Sequence, residues 1–279
     1  MKLTAGIAAF AAAVSAAREP RSIVETRADA SSKIPTSYES AVMGRRILAL
    51  SKLATLSTVF PDNSDASAAE HRPADLGGVP IGMMDYVADC EDEGNPTILA
   101  IKIATSFKNV KAGSNMTLSM RWTPPYPPSR RMSFFSRLTS FFHGDKSPYE
   151  LMEQDDDAAA TAPDTVPYSA ANLPRFSLIG HLEPINPDTV QSLRLATCFV
   201  SKHRDAKYWL PGNRIHEAEW ARLVVTHVYW VGGFGDRAYI GWIPVEEWQS
   251  VTKTEWTSIT LPGEKKGWSE WALDGSAEL

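Results

Sequence analysis

The spacing of apolar residues changes several times along the chain, and each change predicts an element. Thr36-x-x-Glu39 has the form of a capping box, and Met43, Ile47, Leu50 and Ala54 then recur at helical spacing, so a helix is expected from about Ser37 to Leu53. The stretch "LATLSTVF", Leu53 to Phe60, turns β-like and is broken by Pro61-Asp62-Asn63-Ser64-Asp65. "GVPIGMMDYVAD" (Gly78 to Asp89) and "PTILAIKIATSF" (Pro96 to Phe107) read as two further strands, and the acidic, glycine-containing turn Cys90 to Asn95 between them suits an antiparallel hairpin. Lys108 to Asn115 fits one helical turn, and "MTLSMRW" (Met116 to Trp122) is strand-like again.

Beyond Trp122 the pattern collapses. From Pro124 to Asn172 the chain is rich in Pro, Ser, Ala and Asp, carries the acidic block Glu153 to Asp157 and sustains no apolar period, which predicts a disordered insertion. Phe134, Phe135, Phe141 and Phe142 inside it could line a short amphipathic helix, although aromatic pairs in a biased segment are more often incidental. Order returns with the strand "RFSLIGHLEPI", Arg175 to Ile185. Asn186 as N-cap and Pro187 at the first helical position open a helix to about Arg204, on which Val190, Leu193, Thr197 and Val200 share a face. A long strand, Trp220 to Val231, and "RAYIGWIP", Arg237 to Pro244, close the pattern.

Between those last strands, Gly233-x-Gly235-x-x-Ala238 matches the glycine fingerprint of a dinucleotide-binding loop. That fingerprint works only where a helix follows, because the first-turn N–H groups hold the pyrophosphate. Period-2 alternation and a proline follow instead, so the turn joins two strands and the dinucleotide reading falls. Its glycines are expected to supply positive φ or close backbone approach.

Composition narrows the function classes. At 279 residues and 43% hydrophobic, the chain can build one large domain or two small ones. A formal net charge of -5 argues against a nucleic-acid footprint, which needs clustered Lys and Arg. The opening "MKLTAGIAAFAAAVSAA" has a basic Lys2, an apolar run from Leu3 to Val14 and small residues at Ser15 and Ala17, the layout of a signal peptide cleaved near Ala17. A flexible arm over residues 18–36 would follow; the leading run is too short to span a membrane, and no second apolar stretch of about 20 residues exists. Secretion would permit Cys90 and Cys198 to pair, though spacing alone leaves the pairing open. Asn115-Met116-Thr117 is an acceptor for N-glycosylation.

Histidines offer little chemistry on sequence grounds. His216 opens "HEAEW", but Trp220 stands where a zinc helix needs its second ligand. His227 lies among apolar neighbours, as a core or interface histidine would, and His203-Arg204-Asp205 near a helix end suits capping better than acid–base catalysis. His181 sits within a strand.

In their order, "LATLSTVF", "GVPIGMMDYV", "ILAIKIATSFKNVKAGSNMTLSM", "FVSKHRDAKYWLP" and "HEAEWARLVVTHVYWVGGFGDRAYIGWIPVEEW" resemble the CREG-like proteins of the pyridoxamine 5′-phosphate oxidase-like superfamily. The resemblance implies a mainly β fold with flanking helices, a largely antiparallel FMN-binding split β-barrel over residues 37–249, and a C-terminal extension at 250–279. It further implies a secreted glycoprotein, extracellular or delivered to a vacuole or lysosome, and a homodimer with its ligand site at the subunit interface. Flavin-binding relatives hold the FMN phosphate with a Ser-x-Lys pattern, which places Thr105, Ser106 and Lys108 at that point here; those relatives commonly follow the serine with an arginine, where this chain has Phe107. The expected function is therefore a non-catalytic binding or signalling protein for an unknown protein or small-molecule ligand, with no cofactor. The alternatives are an FMN-dependent oxidoreductase and a haem-binding or haem-degrading barrel.

Overall fold

Helix α1 spans Ser37–Leu50, and its start is the capping box read from the sequence: the Thr36 hydroxyl accepts from the Glu39 N–H while the Glu39 carboxylate accepts from the Thr36 N–H. In the computed structural model, residues 34–62, 72–73, 75–126, 169–213, 217–235, 237–266 and 268 are described. The expected signal peptide, most of the arm and of the insertion, and His216 lie outside them.

Seven strands follow: β1 (Leu53–Val59), β2 (Pro80–Tyr86), β3 (Thr97–Ile101), β4 (Met116–Arg121), β5 (Arg175–Pro184), β6 (Ala218–Val231) and β7 (Ile240–Ile243). Helix α2 (Thr105–Lys111) lies between β3 and β4, α3 (Thr189–Lys202) between β5 and β6, and α4 (Val245–Ser250) and α5 (Lys253–Ser258) end the order. All ladders are antiparallel, in the order β2-β1-β4-β5-β6-β3, with β7 also on β6. Ala88, just past β2, bridges Thr97 at the head of β3, so the two ends of the sheet meet and the sheet curls into a barrel. The mainly β, antiparallel fold with flanking helices is as the sequence predicts.

Alternation builds the main core. Ala54 and Leu56 of β1, Met116, Leu118 and Met120 of β4 and Phe176 and Leu178 of β5 point inward with Trp230 and Trp248. A smaller cluster packs Leu195 and Phe199 of α3 on Leu99 of β3 and Trp220 of β6. In β6 the phase resets: Ile179 pairs with His227 but Gly180 with Val225, so Thr226 is the extra residue of a bulge, and Val225 and Val228 are both buried while Thr226 and His227 are exposed. Gly180 makes this possible, because a Cβ there would lie 1.9 Å from the Val224 carbonyl oxygen.

Several local expectations are corrected. Residues 78–89 and 96–107 do not form a hairpin: β2 pairs with β1 and β3 with β6, and among the described residues a single bridge, Ala88 to Thr97, joins the two stretches. Neighbourhood in sequence loses here to barrel closure. α1 ends at Leu50, which is exposed, and Ala54 belongs to β1; the buried face of the helix runs through Ala41, Val42, Arg45 and Leu48 beside Ile47. α2 begins at Thr105, inside the stretch read as strand. The N-cap of α3 is Asp188, whose carboxylate accepts from the Gln191 N–H, and not Asn186. The face of α3 is reversed as well, with Leu195 and Phe199 buried and Val190 and Leu193 in solvent. β6 begins at Ala218 and β7 only at Ile240, because Gly233 (φ 152°) and its neighbours turn the chain first.

Candidate functional site

One row of residues crosses the outer face of the barrel: Met84, Thr55, Ser119, Ser177, Tyr229 and Trp242 are successive register partners on β2, β1, β4, β5, β6 and β7. On β1, β4, β5 and β6 they point outward because their strand neighbours fill the core, and Met84 and Trp242 at the ends of the row are exposed. The Ser119 and Ser177 hydroxyls are 2.8 Å apart, and the Tyr229 and Trp242 rings meet edge to face at 5.1 Å. In the next outward row Arg121 stands opposite Arg175, and Arg175 opposite Val231.

A groove of about 600 Å³ opens on this face, lined by Thr55, Met84, Ser119, Arg121, Arg175 and Ser177 together with Tyr229 and Val231. Both arginines are exposed. Arg175 donates one bond to the Ala171 carbonyl, and Arg121 has no ion-pair or hydrogen-bond partner among the described residues. Among the described residues the lining supplies guanidinium, hydroxyl and phenol groups but no carboxylate, imidazole or thiol. Such a surface can hold an anion.

The residues expected to hold a flavin phosphate lie elsewhere, on α2. Ser106 is buried and Lys108 exposed, and two positions apart on a helix place them on opposite sides; Thr105 and Lys108, three apart, share one. Phe107, where flavin-binding relatives carry arginine, is in the core. None of these residues lines the groove. The N-cap, Ala104, brings no side-chain oxygen.

Cys90 and Cys198 are joined by a disulfide that ties the loop after β2 to α3. Next to it lies a stacked cluster: the Tyr86 ring lies 4.5 Å from the His203 ring and the Tyr86 hydroxyl donates to Asp205 at 2.5 Å. That bond raises the Tyr86 pKa above its usual range and lowers that of Asp205. His203 caps α3, bonds the Val87 carbonyl through Nε2 and has its pKa lowered chiefly by burial. His203 and Asp205 thus both serve Tyr86 and pin α3 to β2. Lys202 donates to the Leu48 carbonyl and is pushed down to about 8 by burial. His227 is exposed beside Trp242 on the groove face, not in the core, and His181 is exposed too. Asn115 is exposed at the entry to β4. Among the described residues no helix is long and apolar enough to cross a membrane, and no cluster of three or more His, Cys, Asp or Glu could hold a metal.

Sequence reasoning missed Arg121 and Arg175. Their one signal is alternation: Thr117, Ser119 and Arg121, like Arg175, Ser177 and Ile179, fall at outward positions of a period-2 run. Nothing linear says that residues on either side of a long insertion become cross-strand neighbours.

A family model described as "CREG, beta-barrel" matches residues 35–250. No curated protein matches the chain in sequence. Among solved structures, a heme binding protein from Mycobacterium smegmatis is similar at 16% identity and a TM-score of 0.46, covering 78% of this chain and 62% of that one, so the likeness spans less than two thirds of that relative. HutZ, the heme storage protein of Vibrio cholerae, is similar at 11% identity and a TM-score of 0.36 over 70% of this chain and 94% of that one. A pyridoxamine 5′-phosphate oxidase-related, FMN binding protein of Nostoc punctiforme is similar at 14% identity and a TM-score of 0.31 over 68% of this chain and 78% of that one.

Proposed function

The chain belongs to the CREG β-barrel family, and we propose that it is a secreted, non-catalytic binding protein whose ligand surface is the groove across the outer face of β1, β2, β4, β5 and β6. One observation carries this reading: the groove presents two arginines and a row of hydroxyls without a carboxylate, imidazole or thiol to relay protons. The placement of Ser106 and Lys108 on opposite sides of α2, one buried and one exposed, supports it further, since that arrangement disfavours a shared phosphate. Passage through the secretory route is supported by the Cys90–Cys198 disulfide, a bond that persists in oxidising compartments, and by the exposed Asn115. Exposed Trp242, on β7 at the end of the outward row and outside the groove lining, favours a homodimer whose interface borders the groove.

The test is to express residues 18–279 through a secretory route, purify the protein without added cofactor, record its visible spectrum, and assay NADPH oxidation with FMN supplied. A colourless protein with no oxidation above free FMN is expected. A stoichiometric band near roughly 450 nm or enzymatic NADPH oxidation would establish the oxidoreductase instead, and a Soret band the haem protein.

A further inference from the structure

Arg121 and Arg175 face one another directly across an antiparallel ladder. Like charges at such opposed positions destabilise a sheet. Neither arginine has a carboxylate partner among the described residues, and the groove beside them is lined by none. Buried Arg45 and half-buried Arg46 and Arg222, by contrast, each have an acidic partner. The opposed pair is therefore a local conflict placed in a concave, hydroxyl-lined site, the kind of departure from local consistency that marks a binding surface.

We infer that the groove binds a small hydroxylated phosphate ester, with its phosphate held between Arg121 and Arg175. A phosphate dianion has charge for both guanidinium groups and oxygens enough for two donor forks, which a single carboxylate lacks. Arg175 keeps most of its donors available after its one bond to the Ala171 carbonyl. Ser119 and Ser177 stand beside the arginines in the adjacent outward row, two residues along the same strands, with Thr55 one strand further on β1; their hydroxyls offer donors and acceptors to hydroxyls of the ester, while Tyr229 and Met84 give its carbon skeleton apolar contact. The inference rests on the binding reading above and names the ligand class of that groove.

The experiment is isothermal titration of the full secreted chain with glucose 6-phosphate, inorganic phosphate and glucose. Glucose 6-phosphate should bind, inorganic phosphate more weakly, and glucose not at all. Arg121→Gln and Arg175→Gln should each weaken glucose 6-phosphate binding about tenfold or more, as loss of hydrogen bonds to a charged group does, while Lys111→Gln, exposed at the end of α2 and outside the groove lining, should leave it unchanged. Both arginine side chains are exposed, so the variants should fold, and each should melt slightly higher than the parent without ligand because the charge conflict is gone. No binding of the ester by the folded parent, or equal binding by the arginine variants, would overturn the inference. Inorganic phosphate binding as tightly as the ester would overturn the ester as ligand. A colourless, inactive protein that ignores glucose 6-phosphate sinks only this inference; a flavin- or haem-loaded protein sinks the reading beneath it.

Discussion

Arg45 and Asp89 form an ion pair at 3.1 Å in which the side chains are 0% and 3% exposed. The same guanidinium donates to the carbonyls of Trp248, Val251 and Asp92, so one α1 side chain fastens the helix to the loop after β2 and to the C-terminal helices. Burial drives the Asp89 pKa up and Arg45 pulls it back. Arg45→Ala should cost about 3–5 kcal/mol in urea unfolding, because it leaves the buried Asp89 carboxylate without its charge partner, with only the Gly94 N–H donating to it among the described residues, and removes the guanidinium from three carbonyls. A cost under about 1 kcal/mol would mean that the pair is replaceable by water.

The Cys90–Cys198 bond closes a loop with a sequence separation of 108 residues. Loop-closure entropy for that span makes the Cys90→Ser, Cys198→Ser double variant about 2–5 kcal/mol less stable than the oxidised parent. Melting with and without a strong reductant measures it, and identical curves would show that the bond contributes nothing.

His203 adds a pH dependence. Its ordinary pKa of 6.5 is lowered in the folded protein, chiefly by burial. Unfolded chains therefore take up a proton first as the pH falls, so the stability that neutral His203 contributes is intact above about pH 6.5 and drains away below it. His203→Phe keeps a ring against Tyr86 without titrating, and its stability should fall less than that of the parent between about pH 7 and 5. Parallel pH profiles would remove His203 as the titrating group.

Gly180→Ala should destabilise by more than about 2 kcal/mol, since the new methyl group meets the Val224 carbonyl at 1.9 Å and the bulge must rearrange. Gly113→Ala, whose new Cβ would meet nothing within 4 Å, is the comparison for the strain of a positive φ (105°) alone. If the two variants melt alike, crowding at the bulge is not what selects glycine at position 180.

Much of the fold was legible in the sequence because it depends on local periods. The capping box at Thr36 and Glu39, alternation in β1, β4 and β5, and the glycine turn before β7 are decided within a few residues. The failures share a cause. In α3, Val190 and Leu193 are as apolar as Leu195 and Phe199, and only the position of β3 and β6 determines which pair is covered. Strand partners were equally beyond reach: β2 and β3 are adjacent in sequence with a turn between them, yet closing the barrel gives each a different neighbour.

The sequence by itself determined most of the strands and the two long helices, the acidic charge balance and the family likeness, all carried by residue order, but not α4 or α5. Only the tertiary structure decided that Arg121 and Arg175, separated by a long insertion, stand opposite one another, and that Ser106 and Lys108 face apart. Register and helix phase set which side chains share a space, and both are settled by burial of the opposite face, a quantity that belongs to the whole barrel and to no single segment.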